Sequence, residues 1–160
     1  MHENRGLPQL RLSDKTGALP ASFGDRSRIT RAGKAAVSAA LRKGEANRED
    51  IARRFGLSPF TVADWAGDQS PVRVKPTPAR RKWLTGMGLQ TQALDMTELL
   101  IQERDTLVSP GAIIRFLGSG ARSKLVPVLI CKARKIFPYG SIRNAHGVGF
   151  KYVGKEPWAD

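Results

Sequence analysis

Between Leu125 and Phe137 the apolar residues Val126, Leu129, Ile130, Ala133 and Phe137 recur at helical spacing. This predicts a helix with one buried stripe and with Lys132, Arg134 and Lys135 beside or opposite it. Pro138, Tyr139 and Gly140 stop that helix. Ile142 to Val153 then holds two short runs of strand-forming residues around Gly147 and Gly149, a β-hairpin packed by Ile142, Val148, Phe150 and Val153. Near the other end, T-R-A-G-K-A-A-V-S-A-A-L-R-K-G predicts an alanine-rich helix that opens at Thr30 and ends at Gly44. In the following N-R-E-D-I-A-R-R-F-G-L-S-P-F-T-V-A-D-W-A, Asn47 caps one helix and Gly56 allows a left-handed turn. Ser58 caps a second helix with Pro59 at its first position. Ile51, Ala52, Phe55, Gly56, Leu57, Val62 and Trp65 fall where a helix-turn-helix unit places its core, small and turn residues. The plainer reading of the same spacing is an ordinary helical hairpin.

The remaining stretches are less patterned. Residues 1–27 mix Gly, Pro, Ser, Asp and Arg without periodicity and read as a disordered tail. Gly67 to Lys82 holds three prolines and five basic residues, the composition of an extended basic linker, assigned to 68–82. Trp83 to Leu94 alternates loosely and carries Gly86 and Gly88, which suggests a short hairpin. The expected organisation is therefore a helix-turn-helix domain over 28–67, the linker, a second domain over 83–154 and a tail over 155–160.

Composition narrows the function classes. At 160 residues and 41% hydrophobic content the chain can hold two small cores. Twenty-seven basic against 14 acidic side chains leave a net charge of +13, which attracts a polyanion in a salt-dependent way. The distribution sharpens this: from Thr106 to Lys155 there are nine Lys or Arg residues and no Asp or Glu. Cys131 is the only cysteine, so an internal disulfide and a cysteine-rich zinc site are excluded. Its position makes it a small buried filler or a weak base-edge contact. No apolar run approaches a membrane span and the first residues lack a signal-peptide core, so a soluble, cytoplasmic, nucleoid-associated protein is expected.

The segment V-P-V-L-I-C-K-A-R-K-I-F, the later A-H-G-V-G-F, and the upstream M-T-E-L-L-I-Q-E-R-D-T-L-V-S-P-G-A-I-I-R-F-L resemble the C-terminal effector domain of OmpR/PhoB-type response regulators. The likeness runs from Asp95 to Val153. His146, Phe150 and Pro127 stand where that family has an arginine, a tyrosine and an acidic residue. The resemblance implies a winged helix, with Leu125–Phe137 as recognition helix and the hairpin as wing. No receiver domain is expected ahead of it. The expected fold class is mainly α with small β hairpins, a three-helix helix-turn-helix unit plus a C-terminal winged helix.

Candidate contacts follow from these assignments. In the winged helix they are Lys124, Lys132, Arg134, Lys135, Arg143, His146 and Lys151, with Arg134 the candidate for a bidentate guanine contact. In the helix-turn-helix they are Arg48, Ser58, Phe60 and Thr61, although Asp64 beside them would repel phosphate. In the linker they are Arg73, Lys75, Arg80, Arg81 and Lys82, placed to track phosphates or enter a minor groove. His146 can donate to phosphate, or stabilise a turn. G-S-G-A-R-S-K at 118–124 lacks phosphate-loop spacing and reads as a loop on the DNA backbone. His2 and His146 are the only histidines, and no paired cysteines or acidic cluster accompany them. No metal, cofactor or catalysis is expected. The function this supports is a sequence-specific double-stranded-DNA-binding transcriptional regulator, with RNA polymerase or another regulator as a further candidate partner. The alternatives are a DNA-packaging or architectural protein, and a non-catalytic recognition part of a recombination system.

Overall fold

Local sequence signals set the first three helices. In the computed structural model, which describes residues 31–75, 77–118 and 121–159, α1 (Arg31–Arg42) is followed by α2 (Arg48–Phe55) and α3 (Pro59–Trp65). The N-terminal tail lies outside the described residues. Gly44 at φ 74° closes α1, with Glu45 N–H donating to the Ala40 carbonyl at 2.8 Å and Gly44 N–H to Leu41 at 3.2 Å. Glycine takes this conformation without the steric cost of a Cβ. Asn47 Oδ1 accepts from Asp50 N–H at 3.1 Å to cap α2, and Ser58 Oγ accepts from Phe60 N–H at 3.1 Å to cap α3. Each cap is worth about 1 kcal/mol. Val37, Leu41, Ile51, Phe55, Leu57, Val62 and Trp65 then close a core between the three helices.

The next stretch departs from the linker and hairpin expected of it. Val72 and Val74 lie two apart in V-R-V-K, and Val72 is buried in a second, larger core against which Val74 packs. Gln102 pins the strap: its Nε2 donates to the Arg73 carbonyl at 3.2 Å and its Oε1 accepts from Lys75 N–H at 2.6 Å. A free spacer would leave those groups to water. Pro78 starts α4 (Pro78–Gly86), where φ near −65° and the missing N–H cost nothing. Gly86 ends α4 and Gly88 at φ 97° turns the chain into α5 (Thr91–Gln102), so two helices stand where a hairpin is expected.

α5 is the centre of the molecule. Ala93, Leu94, Met96, Leu99, Leu100 and Ile101 are buried against α4, α6 (Pro110–Leu117), α7 (Leu125–Arg134) and the hairpin. α7 buries Val126, Leu129, Ile130 and Ala133, the stripe its periodicity predicts. β1 (Ile142–Ala145) and β2 (Gly149–Tyr152) pair antiparallel with Ile142 opposite Tyr152 and Ala145 opposite Gly149. Phe137 lies edge-on to Tyr152 with ring centroids 5.1 Å apart and tilted to Trp83 at 5.6 Å, tying the hairpin and α4 to the end of α7. A short 3-10 turn, Pro157–Ala159, brings Trp158 to within 5.8 Å of Trp83.

Backbone hydrogen bonds join the two halves. Leu107 N–H donates to the Gly56 carbonyl at 2.8 Å, and the Leu107 carbonyl accepts from Ser58 N–H at 2.9 Å. The next residue, Val108, exchanges both of its bonds with Phe150 on β2, at 2.8 and 3.0 Å. A short ladder thus runs from the α2–α3 turn through 107–108 into the hairpin. Leu107 and Val148 complete the core of the three N-terminal helices, so the hairpin's turn is packed rather than projecting. The described residues are mainly helical with one small antiparallel hairpin, and none of their helices is long and apolar enough to cross a membrane.

Candidate nucleic-acid interface

The buried stripe of α7 dictates what its other side presents. Lys124, Pro127, Val128, Cys131 and Lys135 are exposed, and their three- and four-residue spacing sets them on one face. Lys132 and Arg134 flank it, also exposed. Cys131 is therefore not a buried filler, the first of the two roles its position allows. Arg122 and Ser123, just before the helix, are exposed as well, while Ser119 and Gly120 of the same loop lie outside the described residues.

Arg134, expected to read guanine, is turned away from that face. Its Nε and Nη2 both donate to the Ile142 carbonyl, at 3.2 and 3.1 Å, bracing the end of α7 against the first residue of the hairpin. Arg143 is exposed, with Nε donating to the Gly140 carbonyl at 3.3 Å, and stands directly opposite half-buried Lys151 across the hairpin. Two like charges at paired positions repel, a cost that an anion between them would relieve. His146 is exposed beside the turn. Two open clefts border this surface: one of about 490 Å³ between Arg134, Phe137, Tyr139 and Arg143, the other of about 400 Å³ between the α4–α5 loop and Lys132, Lys135 and Ile136.

Several arginines elsewhere are paired with carboxylates. Arg48 pairs with Asp68 at 2.9 Å, Arg53 with Asp50 at 2.5 Å, Arg104 with Glu156 at 3.2 Å and Arg115 with Asp64 at 3.0 Å. Ser70 and then Arg48 hold the Asp68 carboxyl well below the usual carboxylate range. Arg80, named from the sequence as a linker contact, is buried and pairs with buried Glu98 at 3.2 Å, while its Nη2 also donates to the Lys75 carbonyl at 2.9 Å. It is not available to a phosphate. Arg81 pairs with Glu98 and with Asp95, the latter at 3.3 Å. Arg73, Lys75 and Lys82 keep exposed side chains. Among the described residues, no ion pair involves Lys124, Lys132, Lys135, Arg143 or Lys151.

The contacts expected from α3 are also redirected. Thr61 is buried; its hydroxyl donates to the Leu107 carbonyl at 2.7 Å and accepts from Ser109 N–H at 2.9 Å. Ser58 is buried and donates to Glu103 Oε1 at 2.8 Å, and Phe60 packs half-buried on the larger core. Arg48 stays exposed beside Asp68. Asp64, expected to repel phosphate, faces inward and accepts from Ser109 Oγ at 3.0 Å as well as from Arg115. The first turn of α3 is thus an internal joint. Lys34, one of the basic residues whose position in the sequence suits clamping of a DNA backbone, instead has its amine 5.1 Å from the Trp65 ring centroid and 3.5 Å from the Gly147 carbonyl of the hairpin turn. Helical spacing outward from the α7 stripe is the signal that would find Val128.

Among the described residues no cluster of His, Cys, Asp and Glu could hold a metal ion. No family model, curated protein or solved structure matches the chain.

Proposed function

We propose that the chain binds double-stranded DNA through α7 and the β1–β2 hairpin, as a sequence-specific regulator of transcription with a winged-helix layout. The observation that carries this reading is the segregation of charge. Arg48, Arg53, Arg80, Arg81 and Arg115 pair with carboxylates, whereas Lys124, Lys132 and Lys135 along α7 and the Arg143–Lys151 pair of the hairpin do not. Folding alone gives no reason to keep that positive charge uncompensated; a phosphate backbone does. The layout is supported by the order α5, α6, α7 and hairpin, and by the pairing of Val108, between α5 and α6, with the hairpin. The order helix, V-S turn, helix, helix and hairpin is the one that the OmpR/PhoB resemblance implies. The three N-terminal helices then serve to hold the hairpin rather than to read a second site, since Thr61 and Ser58 are engaged internally.

An architectural or packaging role is the second reading, favoured by one observation: Arg134 is bound to the Ile142 carbonyl instead of being free for guanine. Selection from a random duplex pool, followed by titration over a range of salt, separates them. Regulation predicts an enriched motif, and Lys124, Lys132 and Lys135 replaced together by Ala lower the log-affinity against log-salt slope by about 0.9 for each phosphate left unneutralised. Binding without an enriched motif favours the architectural role, and no duplex binding at low salt overturns both.

A further inference from the structure

The outward face of α7 is basic at its ends and apolar in its middle. Lys124 and Lys135 bound it, while Pro127, Val128 and Cys131 lie between, and Val128 is 50% exposed. Resting on the DNA-binding reading above, we propose that this face reads the C5-methyl groups of pyrimidines in the major groove, with Val128 as the specificity-determining side chain.

Dimensions come first. Lys124 and Lys135 are separated by about 16 Å along the helix axis, and the major groove of B-DNA is about 12 Å wide. A helix laid across the groove would therefore hold its two terminal ammonium groups over the flanking phosphates and its middle over the base edges.

Chemistry then restricts what the middle can recognise. Val128 and Pro127 carry no side-chain donor or acceptor, the Cys131 thiol is a weak donor, and the Arg134 guanidinium is engaged by the Ile142 carbonyl. Base edges in the groove present acceptors, amino donors and one apolar feature, the pyrimidine C5-methyl. Pressing an isopropyl group against an acceptor or amino group strips its water and returns no hydrogen bond. Pressing it against a methyl removes two apolar surfaces from water at once. The fold itself has no use for Val128: it lies outside both buried clusters and outside the residues packed against them. Thymine and 5-methylcytosine share this methyl, and the experiment tells them apart.

The test uses the full chain and a duplex selected by it. Each thymine is replaced in turn by deoxyuridine, which removes only the methyl, and each cytosine by 5-methyldeoxycytidine. Loss of a methyl that Val128 covers weakens binding about fourfold. Val128→Ala removes that sensitivity, so that the variant binds the thymine and uridine duplexes alike. A gain of affinity on cytosine methylation adds the modified base to the chemistry read; no gain confines it to thymine. Uridine tolerated at every position by the parent, or a fourfold penalty retained by Val128→Ala, overturns the proposal and leaves the DNA-binding reading standing. Failure to bind any duplex removes the reading on which it rests.

Discussion

Replacing Thr61 with Val separates the internal role of α3 from the DNA-contacting role its sequence suggests. Valine keeps the shape and removes only the hydroxyl, which donates to the Leu107 carbonyl at 2.7 Å and accepts from Ser109 N–H at 2.9 Å at a fully buried position. The Leu107 carbonyl keeps a second donor, Ser58 N–H at 2.9 Å, and so is not orphaned. Ser109 N–H is deprived of its side-chain acceptor. One missing hydrogen bond costs about 1 kcal/mol and an unsatisfied buried donor about 1–3 kcal/mol more, giving an expected destabilisation of about 2–4 kcal/mol. For a chain of this size that lowers the melting temperature by roughly 10 °C. Thr61→Ser, which keeps the hydroxyl, recovers most of the difference. Thermal unfolding followed by circular dichroism, beside duplex titration well below the melting range, reads both roles. An unchanged melting temperature with weakened DNA binding would refute the internal joint and return Thr61 to the DNA surface.

Two further substitutions probe the same framework. A Cβ at Gly149 would collide with the Val108 carbonyl oxygen, a backbone atom already held by Phe150 N–H. Gly149→Ala is therefore expected to cost about 3 kcal/mol, and an unaltered denaturation midpoint would contradict the close approach of β2 to residue 108. Asp68 is held in its charged form by Ser70 and Arg48, so its contribution is fully present above the ordinary carboxylate pKa of about 4 and fades as pH falls through the lowered folded value. Parent and Asp68→Asn should differ in urea stability at about pH 7 and converge towards about pH 2; a gap of equal size at both would show that the charge contributes nothing.

Features set by near neighbours are legible in the chain. Asn47, Gly56, Ser58 and Pro59 act within four residues of themselves, and α2, its turn and α3 lie where they indicate. The α7 stripe likewise follows local periodicity, and the hairpin lies where its two short strand-forming runs indicate. The strap reads as a free linker because the partner of its backbone, Gln102, lies 27 and 29 residues away and nothing in V-R-V-K announces it. Gly86 and Gly88 suggest a hairpin because glycine marks any turn, while Pro78, the actual helix start, falls inside a proline-containing basic stretch. The role of Thr61 depends on a segment 46 residues later. For Arg80, the sequence records a charge but not that Glu98, 18 residues on, buries with it. In the candidate interface, placement of Lys132 and Lys135 beside the stripe is readable, but the capture of Arg134 by a carbonyl is not.

The ladder through residues 107 and 108 bears on how the molecule opens. Each of these two amides is bonded to a different half of the chain, Leu107 to the α2–α3 turn and Val108 to β2. Their protection against solvent deuterium therefore depends on helices on both sides, and neither half can detach without stripping one end of the same short segment. Detachment of the α2–α3 turn alone would expose the Leu107 amide and detachment of the hairpin alone the Val108 amide, so matched slow exchange at the two positions is expected if the halves open together. Severing the strap between α3 and α4 should then give two fragments that remain associated and melt together.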